Sequence, residues 1–300
     1  MYPIILGLLS LAPAETPVKP SGHEATNPLY KELLEPGLSL GSEFKAKLPA
    51  PTMTDGLDSE AQKIIIKKVI GTDYTYEAFT RQSVVAPHVL RINNITPSDP
   101  KAPARSVDTW FVAYGNFGNA DDQSAIDRFS NAGKDGGKND GKVLTKADLA
   151  KRKIEFTDAD EKRERFANIR IDFLEKVQIQ ATGRVMWSKG DDSVIIAAMI
   201  DPRFAGDAEF PNQWLPLSKG AGKLSSGSAS PYGGAGFYMK VTKLAEPAGA
   251  LFIEQHVVFT EPTKWFEGAN LLRSKFPLVV QSQVRSLRRE LIKEVAANNK

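Results

Sequence analysis

GFYMKVTKL at residues 236–244 and ALFIEQHVVFT at 250–260, followed beyond Glu261-Pro262 by FPLVVQSQVRSLRRELIKEV at 276–295, decide how this chain is built. In the first two stretches apolar side chains alternate with polar ones. Phe237, Met239 and Val241 oppose Tyr238 and Lys240; Leu251, Ile253, Val257 and Phe259 oppose Glu254 and His256. A period of two marks strands with one apolar face, and Lys243–Gly249 joins them as a hairpin. In the third stretch Phe276, Val280, Val284, Leu287, Leu291 and Val295 recur every three or four residues. They form one helical stripe, opposed by Arg285, Arg288, Arg289 and Lys293. Between strand and stripe, Pro262 starts a helix at Thr263 that carries Trp265, Phe266, Leu271 and Leu272, and Pro277 kinks it or opens a new one.

Upstream, the chain supplies more sheet. Ser83–Ile95 and Ser106–Tyr114 are rich in β-branched and aromatic residues, and the proline-rich connector Thr96–Ala104 between them is expected to be a long hairpin loop. Ile169 to Trp187 alternates throughout, but nineteen residues of strand would span roughly 60 Å, so a break is expected near Leu174–Lys176 or at Gly183. Lys189-Gly190-Asp191-Asp192 turns the chain into Ser193–Ile200, which is apolar on both faces and therefore central. Phe204–Leu217 is expected to be irregular. Ser218–Gly236, with six Gly and five Ser, is expected to be a long loop, either disordered or a gate. Asn27-Pro28 and Asp58 begin two helices, ended by Pro36-Gly37 and Gly71. The charged middle, 116–167, carries capping-box signals at Thr145/Asp148 and Thr157/Asp160 and is expected to be a helical insertion.

Residues 1–14 form a separate segment. An apolar run, Ile4 to Leu11, meets Ala12-Pro13-Ala14, which fits a signal peptide with an Ala-x-Ala cleavage site, although no Lys or Arg precedes it. The expectation is export to the periplasm or the extracellular space. A proline-rich segment, 15–57, follows, disordered before Ser21, and then a single domain over 58–297. No later run reaches the ~18 apolar residues of a membrane span. Lys and Arg total 39 against 36 Asp and Glu, too balanced for a nucleic-acid partner. There is no cysteine, which excludes disulfides, thiolate metal sites and thiol nucleophiles.

The chemistry-bearing motifs are few. No G-x-S-x-G elbow serves His23, His88 or His256. Gly220-Ala221-Gly222-Lys223 is followed by Leu224 where a phosphate loop needs Ser or Thr, and Asn139–Val143 sits in a failed EF-hand frame, with Lys138 at a ligand position. Glu254 and His256 share one side of a strand, a pair that could ligate a metal or lie on a solvated face. The basic side of the last helix is a solvated face or a contact for an anionic surface. No catalytic, cofactor or metal site is assigned.

The fold class expected is α+β: a curved antiparallel sheet of about six strands packed by the long C-terminal helix. At the level of architecture this resembles helix-grip folds, in which a sheet wraps a final helix and leaves a cavity between them. What the resemblance implies is non-enzymatic binding of a small apolar ligand under that helix, with Met239, Ile253, Val257, Phe276 and Val280 as pocket candidates. The alternative is a structural or protein-interaction module of the cell envelope.

Overall fold

The computed structural model describes residues 22–40, 45–99, 102–115, 140–158, 160, 163–220, 223–262, 265 and 274–298. Residues 1–14, the segment before Ser21 and most of 263–275 lie outside the described residues.

Eleven strands form one antiparallel sheet. Its spine runs β10 (Lys223–Ser226), β9 (Gln213–Gly220), β7 (Val177–Lys189), β8 (Ser193–Ile200), β12 (Ala235–Lys243), β13 (Ala250–Thr260), β4 (Ala102–Tyr114) and β3 (His88–Asp99). β6 (Glu164–Phe173) also pairs with β7, β5 (Asp140–Val143) with β6, and β11 (Ser230–Pro231) with β9. β1 (Leu38–Ser39) and β2 (Lys45–Ala46) make a separate two-stranded ladder. The helices are α1 (Pro28–Leu34), α2 (Ser59–Ile70), α3 (Tyr76–Thr80), α4 (Lys146–Ala150) and α5 (Phe276–Asn298).

Among the described residues eleven strands stand where about six were expected. The break in the 169–187 pattern is a full reversal. Leu174 and Glu175 both have positive φ, so β6 and β7 are two arms of a hairpin with a mirror-image turn. Ser218–Gly236 is no disordered loop: Leu217–Gly220 pairs with Lys223–Ser226, and Ser230-Pro231 with Gln213-Trp214. Backbone ladders at a sheet edge need no side-chain pattern, so periodicity could not show them. Strand also extends into the connector: β3 runs to Asp99 and β4 starts at Ala102, the two directly paired, with a register shift between Ile95 and Asp99. β3 ends the sheet, and an edge strand tolerates Pro97 because nothing requires its missing N–H.

Helix ends follow the local code. Asn27 accepts from Tyr30 N–H, Asp58 from Ala61 N–H, and Thr145 with Asp148 forms a reciprocal capping box. Thr157 and Asp160 make the same hydrogen bonds, and β6 begins at Glu164. This middle segment is not merely solvent-facing. Leu144, Leu149, Ile154 and Phe166 form a core with Phe204 and Phe210, clamped by the paired hydrogen bonds of Arg152 to Asp207. The apolar run of α2 buries one face only, since Ile66 is covered and Ile64 faces solvent.

β8 is central, with Val194 and Ile196 on the inner face and Ile195 and Ala197 on the outer. The inner face carries α5. The outer face is roofed by residues 22–58, here called the strap, together with α2 and α3. On the inner side, Val280, Val284, Leu287 and Leu291 of α5 are buried against Phe111, Trp187, Val194, Met239, Val241 and Ile253. Each such burial contributes about 1.5–3 kcal/mol. Gly115 lets the helix come close: a Cβ there would lie 3.1 Å from the Leu291 side chain.

Candidate functional site

Cross-strand pairing sorts the inner face into rows. One row runs Phe111, Ile253, Val241, Val194; the next Leu90, Thr109, Gln255, Met239, Ile196, Trp187; the next Ile92, Val107, Val257, Phe237, Ala198, Val185. The first row is sealed by α5. In the following rows Leu90, Gln255, Ile92, Val257, Phe237 and Val185 are only half-buried. β12 and β13 have strands on both sides, so the exposure of Phe237, Gln255 and Val257 arises on the face and not at an edge. The helix covers one end of the apolar floor and leaves the other incompletely covered.

The five pocket candidates fall on this boundary. Met239, Ile253 and Val280 are buried in the sealed part. Val257 lies in the open part, beside Val107, Trp214, Tyr232, Phe259 and Trp265. Phe276 packs on both clusters, as does Leu90. Aromatic rings gather at this end: Phe173 lies 5.8 Å from Phe276 and 5.9 Å from Trp265, centroid to centroid.

Glu254 and His256 are not on a solvated face. The strap covers them, leaving Glu254 wholly buried and His256 nearly so. Glu254 accepts hydrogen bonds from Thr52 N–H at 2.6 Å and Met53 N–H at 3.1 Å. His256 Nδ1 lies 2.7 Å from Asp108 Oδ1 and its Nε2 3.3 Å from Glu254 Oε2. Trp110 and Tyr238 enclose the ring at 5.4 and 4.9 Å. Both carboxylate oxygens and both imidazole nitrogens are thus spent within the protein, which gives the pair a structural role in place of a metal site.

A second group that the sequence reading missed adjoins this one. Lys240, fully buried, donates to Glu24 at 2.6 Å and lies 2.9 Å from Asp55. It stands directly opposite Glu254 in the hairpin register, yet pairs with the strap. His23 Nε2 lies 2.8 Å from Ser193 Oγ and 3.3 Å from Asp55, and its Nδ1 3.2 Å from Ser188 Oγ. Ser193 is fully buried and donates to Asp55 at 2.8 Å, so it is placed to fasten the strap and not to attack a substrate. The signal available in the sequence was Lys240 itself, a cation set between Met239 and Val241.

Three histidines give stability opposing pH slopes. Burial alone would lower the His256 pKa, but the hydrogen bonds and charges of Asp108 and Glu254 outweigh it and raise it. Its contribution is therefore complete below the unfolded value of about 6.5 and is lost as pH rises through the folded one. For His23 burial dominates, aided by Lys240, and the pKa falls; His88 is lowered by burial and by Arg288 and Arg285. For these two the unfolded chain binds more protons, so stability is lost as pH drops below about 6.5. Urea midpoints measured across pH 5–9 should peak near pH 6.5, and His256→Gln should flatten the alkaline limb alone. A flat wild-type profile above pH 6.5 would contradict the ion-paired assignment.

A separate cleft of about 380 Å³ opens between α1, the middle segment and the β7–β8 region, with Ile154, Phe166 and Met199 along its floor. Its two guanidiniums are already engaged, Arg184 by Glu164 and Arg203 by Asp201. Among the described residues no helix is long and apolar enough to cross a membrane, and no group of three or more His, Asp or Glu is placed to hold a metal ion.

No family model matches the chain, and no curated protein matches it. Solved structures similar to it include the human StarD13 (DLC2) lipid transfer and protein localization domain, at 10% identity and a TM-score of 0.42, covering 78% of this chain and 98% of that one. Human STARD10 matches at 8% identity and a TM-score of 0.37, covering 83% of each chain. A conserved protein from Geobacillus kaustophilus matches at 9% identity and 0.33, covering 63% of this chain and 95% of that one.

Proposed function

We propose that this is an exported, non-enzymatic protein that holds a small apolar ligand between its sheet and its C-terminal helix. One observation carries the reading: on central strands β12 and β13, Phe237, Gln255 and Val257 stay only partly buried on a face whose first row is sealed by α5. Leaving several large apolar side chains short of full burial forgoes on the order of 25 cal/mol per Å², and a ligand occupying that ground would recover it. Export rests on the apolar run and Ala12-Pro13-Ala14 at the N-terminus.

The test begins with protein purified from its native source. Organic extraction and mass spectrometry should recover an apolar molecule in near-stoichiometric amount, and N-terminal sequencing should start at Glu15. After delipidation the protein should bind pyrene, read by fluorescence, and Val257→Glu should weaken binding at least about tenfold, because a carboxylate on an apolar floor stays hydrated or displaces the ligand. No retained molecule and no pyrene binding by folded wild type would remove the carrier reading and leave the envelope interaction module in its place.

A further inference from the structure

The middle row of the inner face, from Leu90 to Trp187, is apolar except at its centre. There Gln255, partly buried, projects from β13 at the border between the sealed and open parts, directly across from the buried Thr109 on β4 and Met239 on β12. Directly opposed residues on antiparallel strands bring their Cβ atoms within about 5 Å, so the Gln255 carboxamide and the Thr109 hydroxyl form one small polar spot. The rows on either side, Phe111–Ile253–Val241 and Val107–Val257–Phe237, carry neither charge nor hydrogen-bonding side chain. Among the described residues neither Gln255 nor Thr109 makes a side-chain hydrogen bond, although Gln178, Gln180 and Gln213 on the same sheet all do.

An amide set in an apolar row without a protein partner is unfavourable by about 1–3 kcal/mol when a ligand or closing helix takes its water away. It becomes favourable if the ligand brings the partner. From this placement, and resting on the carrier reading above, we infer that Gln255 with Thr109 selects the ligand class: an apolar molecule with one neutral hydrogen-bonding end, a hydroxyl or a carbonyl. A carboxylate or phosphate end is disfavoured at Gln255 because the cations of this face stand elsewhere: Arg105, opposite Phe259, is paired with Glu261 at 2.7 Å, and Arg165, opposite Val185, lies over the Trp187 ring on the far side of β8; Lys240 and His256 point to the opposite face.

Two probes sharing one fluorophore test it: pyrene, a pure hydrocarbon, and 1-pyrenemethanol, the same body with a hydroxyl. Delipidated wild type should prefer the alcohol. Gln255→Leu should lose about five- to tenfold for 1-pyrenemethanol, the worth of one hydrogen bond, and leave pyrene unchanged. Thr109→Val should move the same way by less. Gln255→Leu should melt no lower than wild type, since a polar group has left an apolar row. Equal losses for both probes would assign Gln255 to packing, and no loss for either would remove it from the site; each overturns the selectivity while the carrier reading stands. Wild type that binds neither probe would overturn both.

Discussion

Lys240→Met is expected to lower the free energy of unfolding by about 3–5 kcal/mol, the range for removing one partner of a buried ion pair. The methionine nearly fills the lysine's volume, so the loss is electrostatic and not a cavity. What remains is Glu24, buried, with its former cation gone, and Asp55, about a third exposed beside His23. Glu24 carries most of the effect, because water can still reach Asp55. The strap is held to the sheet here, so Lys240→Met should also open it to protease between Gly22 and Asp58 before the sheet unfolds. Adding Glu24→Gln and Asp55→Asn to the same variant should return at least half of the loss, since neutral amides tolerate the site better than unpaired carboxylates. Urea denaturation decides it. A single-variant loss under about 1 kcal/mol would mean that the lysine is not held as described.

The same ion pair shows what could be read from the chain and what could not. The alternation in β12 and β13, the stripe in α5 from Phe276 to Leu291 and the caps at Asn27, Asp58 and Thr145 are local codes, each written in one continuous stretch of chain, and the structure contains them. The α+β class followed from these. Glu254 and His256 were legible as a pair on one side of a strand; their setting was not. Their partners Thr52 and Met53 lie some two hundred positions away, in a proline-rich segment with no period of its own. A polar strand face normally looks toward water, and only the tertiary placement of the strap reverses that. Gln255 was hidden for a related reason: one amide among apolar neighbours has no pattern, and its meaning comes from strands on both sides. The short strands β10 and β11, at the outer side of β9, were missed because backbone hydrogen bonds alone define them.

Arg288 reverses another expectation and carries the second large effect. It belongs to the basic side of α5 by sequence, yet it is 2% exposed, the most buried of that set. Its guanidinium donates to Val112 O at 2.8 Å, Pro87 O at 2.8 Å, Val84 O at 3.4 Å and also to Ala86 O. One planar fork thereby ties the helix to β4 and to the loop entering β3. Burial and the neighbouring Arg285 push its pKa down to about 10, so it remains a cation at neutral pH. Its charge is met by carbonyl dipoles; Phe111 lies beneath it at 5.5 Å. Arg288→Met should cost about 3 kcal/mol or more, because several carbonyls lose their donor at once and each unsatisfied one costs about 1–3 kcal/mol before relaxation. Arg288→Lys separates charge from geometry. A single ammonium cannot span acceptors on β4 and on residues 84–87 together, so it should recover less than half of the loss. Hydrogen exchange should then quicken across Val84–Leu90 and the C-terminal half of α5 in both variants, since the fork is what holds them together. If lysine restored full stability, a buried positive charge alone would suffice and the fork would carry no weight.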